Sequence, residues 1–233
     1  MSYNLENILE PCNINEIEFN YETAKEALDG YFSPIFMKYI KSTSTKNLKL
    51  DDGFMEFVTA ECINGYRVGE GHSPMDVLKD EKGIDVFCVC LNGNETNEKS
   101  LTQNFAKTSK ELEKLFKEKK SKKAIELYKK IWYTKLCEAQ NMYCLTDLYY
   151  LGFISTNTSI YMSLYKINID AILNIKDLGF TKQAKSVNFK NVIDDKYGHT
   201  KLYASKKRME VRLCRNILNC SNTKKIYDLN NSL

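Results

Sequence analysis

The apolar positions of this chain change period several times, and each change marks an element. Over residues 21–40, Ala24, Ala27, Leu28 and Tyr31 recur at helical spacing, with Pro34 as an interruption. Over 51–66, Phe54, Phe57, Val58, Cys62 and Ile63 form a second helical stripe. Asp51 and Asp52 suit its first turn and Gly65 its C-terminus. The period then shortens to that of strands at 75–78 and 84–91, joined by a turn over 79–83. Asn92-Gly93 ends the second strand, and 94–100 is a polar loop. Residues 101–140 return to helical spacing through Leu112, Leu115, Phe116, Ile125, Tyr128, Ile131, Trp132 and Leu136, with a break near 119–122. Strands at 145–155 and 159–167 follow, joined through Thr156-Asn157-Thr158 as a hairpin. A short helix is predicted over 169–178, capped by Gly179, and short strands over 187–189, 200–204 and 210–213. The last ten residues are polar and are expected to fray.

Helices that alternate with strands of both kinds predict a mixed α/β (α+β) fold, a central mixed β-sheet flanked by helices. Three prolines and the absence of a Pro/Gly/Ser-rich linker leave residues 1–233 as one domain, with a helical N-terminal portion over about 1–66 and a basic C-terminal portion over about 180–233. No apolar run approaches the roughly 20 residues of a membrane span, so no membrane partner is expected. The first residues, MSYNLENILE, lack the basic-then-apolar order of a signal peptide, which predicts a cytoplasmic protein. Eight cysteines include no C-x-x-C pair, and the expectation is reduced, mostly buried thiols rather than a zinc site.

Charge changes the picture. Residues 1–100 hold 9 Lys and Arg against 18 Asp and Glu, while residues 101–233 hold 25 against 12. An acidic half beside a basic half suits a protein that collects carboxylates around a cation and lays lysines along a polyanion. The acids of interest lie in GHSPMDVLKDEKGIDVFCVCLNGNETNEK, residues 71–99. Asp76 follows Pro74 by two residues, Asp85 lies at the start of an apolar strand, and Glu98-Lys99 comes just beyond it. Phosphodiester hydrolysis needs carboxylates to hold a divalent cation, an oriented water, and a positive group to offset developing charge.

This order of elements, over roughly residues 50–170, resembles the PD-(D/E)xK nucleases, and the layout is similar to small type II restriction endonucleases. In that family a helix acid, an Asp at a strand start and acid-x-Lys on the next strand converge on one metal. The resemblance implies a restriction-endonuclease-like core with Mg2+ held by Asp76, Asp85 and Glu61, Glu56 being the other helix acid. Pro74-Met75-Asp76 matches the "PD" with one residue inserted. The strand departs from acid-x-Lys, because Asp85-Val86-Phe87 has no lysine. Lys99, beside Glu98, then completes the catalytic set, with Lys79 and Lys82 as alternatives. The implied activity is sequence-specific cleavage of double-stranded DNA by a homodimer reading a palindrome.

His72, in the loop before the acids, is a candidate base or phosphate contact, and His199 reads as a surface histidine in a turn. On the DNA-binding side, Arg67, Lys206, Lys207, Arg208 and Arg212 are the candidate contacts, the last four lying in the KLYASKKRMEVR run. Two other classes stay open: a DNA-binding protein that does not cut, and an interaction protein of a phage or mobile element.

Overall fold

A computed structural model of the chain describes residues 7–33, 50–68, 73–96, 109–183, 185–203 and 208–230. The larger sheet runs in the order β1 (Leu9–Pro11), β7 (Ser159–Ile167), β6 (Asp147–Ser155), β4 (Lys82–Asn92), β3 (Val77–Lys79) and β2 (Tyr66–Arg67). β12 (Thr223–Asp228) shares the edge of β7 with β1, and β5 (Glu95–Thr96) folds back on the end of β4. β4 and β6 are parallel over nine residue pairs, and the other pairings are antiparallel. This is the mixed sheet flanked by helices that the sequence predicts. A second, antiparallel sheet has the order β11 (Arg208–Leu213), β10 (Gly198–Tyr203), β9 (Ser186–Lys190) and β8 (Lys176–Phe180).

Strand β4 divides its side chains between two cores. Ile84, Val86 and Cys88 join the apolar face of α1 (Tyr21–Tyr31) and α2 (Asp52–Ile63). Phe87, Val89 and Leu91 face the other way, onto Trp132, Leu136 and Ala139 of α4 (Ser121–Tyr143). That second core also takes Val187, Phe189, Leu202, Met209 and Val211, so the smaller sheet closes over it rather than standing apart. Trp132 is fully buried at its centre.

The helix ends follow local chemistry. Asn20 caps α1 by accepting from the amides of Glu22 and Thr23, and the Asp51 carboxylate caps α2 by accepting from Phe54 N at 2.8 Å. Asn64, rather than Gly65, takes the left-handed position after α2, at φ 52°. The predicted break in the long helix is present, between α3 (Ser109–Lys117) and α4, where Lys119 has φ 54°. Residues 34–40 and 101–108 of the predicted helices lie outside the described residues.

Three expectations are corrected. Over 169–178 the chain forms only a 3-10 turn, Asp170–Asn174, and then enters β8. Gly179, at φ 85°, serves a register shift between Asp177 and Phe180, not a helix cap. The tail does not simply fray, because β12 pairs with β7 and the Tyr227 hydroxyl donates to Asp29 at 2.7 Å. Four of the eight cysteines are buried and Cys144 is exposed at the end of α4; all eight are free. Among the described residues no helix is long and apolar enough to cross a membrane.

Candidate active site

Two short strands leave the middle of one β4 edge without a strand partner. β3 covers Lys82–Ile84 and β5 covers Leu91–Asn92, so residues between them on that side need other acceptors for their amides. Carboxylates supply them. Val86 N donates to Asp76 Oδ2 at 2.8 Å, and Cys88 N donates to Asp52 Oδ1 at 3.0 Å. Asp76 is placed by its own amide, which donates to Ile84 O at 2.9 Å, and Asp52 by the first turn of α2.

Asp85 lies on β4 immediately before Val86, paired across to Tyr150 of β6. The alternation of the strand sends its side chain to the α4 side, with Phe87. Asp85 and Asp76 share a hydrogen bond, carboxyl to carboxyl. Burial, then the charge of Asp76, pushes the Asp85 carboxyl well above the usual carboxylate range. Burial also raises Asp76, while the Asp85 hydrogen bond and the Val86 amide oppose the rise. The contact acts oppositely on the two groups: it raises Asp85 and lowers Asp76, whose net rise comes from burial.

Two more side chains act on the pair. Glu56, on α2, is raised first by burial, and its hydrogen bond from Arg67 opposes this. Arg67 Nη2 lies 2.8 Å from Glu56 Oε2. Lys135, on α4, is lowered by burial and raised by the charges of Asp85 and Asp76. Asp76, Asp85, Glu56 and Lys135 are each half-buried, so this group of charges keeps contact with solvent.

The structure therefore brings Asp76 and Asp85 together, and the helix acid that lies near them is Glu56 rather than Glu61. Glu61 is exposed on the outer side of α2, because five residues of helix turn it away from Glu56. Lys79 pairs with Glu18, and Lys82 Nζ donates to Glu16 O at 2.7 Å, so neither faces the acids. Arg67 is paired with Glu56 and keeps part of its side chain exposed. His72, Glu98, Lys99, Lys206 and Lys207 lie outside the described residues, as does the side chain of Arg208. Arg212 lies on β11, 3.5 Å from Glu210, and His199 Nε2 is 3.6 Å from Glu95.

Two members of the group have weak sequence signals. Asp52 reads as an ordinary first-turn acid, and its reach to Cys88 depends on how α2 docks. Lys135 is one of many lysines in a long helix; only its position three residues after Trp132 and one before Leu136 hints that it borders the buried face.

Mg2+ is commonly held by one or two carboxylates with water and substrate phosphate completing its shell. Asp76 and Asp85 fit that requirement in number, since they bring two carboxyls together. Among the described residues no three His, Cys, Asp or Glu side chains form a ready-made cage for an ion. A separate polar cleft of about 360 Å³ at the start of β6, lined in part by Glu10, Asp147, Lys166 and Asn168, has no residue in common with the acids. No family model, no curated protein and no solved structure matches the chain.

Proposed function

We propose that the chain is a Mg2+-dependent hydrolase of double-stranded DNA, with Asp76 and Asp85 as the metal-holding carboxylates. The observation that carries this reading is the meeting of two carboxyls, Asp76 and Asp85, with Lys135 near enough to act on both and none of the three fully buried. Half-burying two acids against each other is costly unless a cation joins them. A divalent cation there would supply Lewis-acid polarisation of the phosphate and a lowered pKa for bound water.

The chain's own groups have distinct tasks. Asp76 is held by the Val86 amide through Oδ2 and meets Asp85. Lys135 offers positive charge where the phosphate gains negative charge, the task left vacant by Phe87 in the acid-x-Lys position. Phe87 packs in the core, so the strand itself has no room for a lysine at that point. Glu56 adds negative charge near the pair, and Arg67 holds it in position. The order α2, β3, β4, α4, β6, with β4 parallel to β6, supports the resemblance to the PD-(D/E)xK core. By that resemblance the working form is a homodimer on a palindromic site, acting as a restriction endonuclease.

A second reading has its own observation. Asp76 and Asp52 cap the amides of Val86 and Cys88, and a strand edge needs such caps whether or not chemistry occurs there. On that reading the protein binds DNA and leaves it intact. Incubating the chain with phage DNA and Mg2+ separates the two. Discrete fragments support the hydrolase, and retarded but uncut DNA at every Mg2+ concentration overturns it.

A further inference from the structure

The smaller sheet is two-faced. Val187, Phe189, Leu202, Met209, Val211 and Leu213 point into the core, so the alternate residues lie on the outer face, where Lys176 and Lys190 are exposed and Asn188, His199, Lys201, Tyr203 and Arg212 are half-buried. Register defines that face. Lys201 stands opposite Asn188 on one side and Glu210 on the other, His199 opposite Arg212, and Tyr203 opposite Arg208. At its far edge Lys176 stands directly opposite Lys190. Like charges directly across an antiparallel pair are destabilising, and Lys190 is answered by Asp195, 2.6 Å away. Among the described residues of these strands, Glu210 is the acid on the outer face; it is buried and lies 3.5 Å from Arg212.

We infer that this outer face is a docking surface for the phosphate backbone of a nucleic-acid duplex. The surface is cationic, it belongs to the half of the chain with 25 basic against 12 acidic residues, and its hydrogen-bonding groups (Asn188, His199, Tyr203) stand between the cations. A duplex lying across β8 to β10 would set phosphates against Lys176, Lys190 and Lys201 and offset the repulsion that the register imposes. Arg212, held by Glu210, would fix the orientation of the contact.

The inference deepens the proposed function by placing its polyanion, and the test separates the two. Full-length Asp85→Asn serves as the background, so that cutting does not obscure binding. Lys176→Glu and Lys201→Glu are introduced together, and binding of a fluorescent 20-base-pair duplex is followed by anisotropy over a range of NaCl without divalent cations. Circular dichroism checks the fold. The expected result is a tenfold or greater loss of affinity, with the slope of log K against log salt shallower by about 1.8, or 0.9 per lost phosphate contact. Lys122→Glu with Lys123→Glu, both exposed on α4, changes net charge equally and is expected to leave the slope within about 0.5 of its parent. An unchanged affinity and slope in the β8/β10 variant overturns the inference, and so does an equal loss in the α4 variant. A duplex that binds through this face in a protein that never cuts would refute the hydrolase alone.

Discussion

Replacing Asp85 by asparagine removes one ionisable proton and keeps the side-chain volume. In the wild type the carboxyl is raised by burial first and by Asp76 second, from an ordinary value of 3.8. Above that value the unfolded chain releases the proton and the folded chain retains it. The slope of unfolding free energy with pH follows protons bound in the unfolded state minus those in the folded state, and here the difference is negative. The group's stabilising contribution is therefore full at low pH and is lost as pH rises toward the raised folded value. One proton gives a slope of at most about 1.4 kcal/mol per pH unit, so a two-unit interval inside this window is worth up to about 2.7 kcal/mol. Urea denaturation at several pH values should show wild-type stability falling relative to Asp85→Asn as pH increases. Mg2+ tests the same carboxyl from the other side. At 100 times its Kd the ion adds about 2.7 kcal/mol to the protein that binds it, and should add little to the variant. Parallel pH profiles together with equal gains from Mg2+ would refute both the raised carboxyl and the cation site.

Lys135→Met should lower the single-turnover cleavage rate by about a hundredfold or more while duplex affinity stays near wild type; a normal rate would remove Lys135 from the chemistry. Glu61→Gln, on the exposed side of α2, should leave cleavage unchanged and stability within about 0.5 kcal/mol, and a loss of activity would return Glu61 to the site. Gly152 lies opposite Phe87, and a Cβ there would come 2.5 Å from Phe87 Cζ. Gly152→Ala should cost about 1–3 kcal/mol in urea denaturation and reduce cleavage by displacing β4; an unaffected midpoint would mean that the ring has room to move.

Much of the fold is legible in the sequence because its signals are local. The stripes of α2 and α4 and the strands of β4, β6 and β7 each show a sustained period, and caps such as Asp51 are chemically suited to their positions. The misread segments have weak local signals answered by distant partners. Residues 176–180 become a strand because β9 offers a ladder and Phe180 packs edge-on to Phe116 at 5.2 Å. The polar tail becomes β12 because the edge of β7 is open and Tyr227 packs beside Phe32.

The candidate site divides in the same way. Asp76 and Asp85 stand out in sequence because a carboxylate beside apolar strand residues conflicts with its surroundings. Glu56 and Glu61 occupy the same helix in similar company, and only the docking of α2 against β4 decides which one faces the acids. Lys135 is fifty residues from Asp85 along the chain, and no period or motif connects them. Sequence alone determined the types of element, the polarity of the two halves and the presence of misplaced acids, because these depend on residues a few positions apart. The tertiary structure decided which charges meet, because their interaction depends on distance and burial that are set when α2, α4 and the edge of β4 pack together.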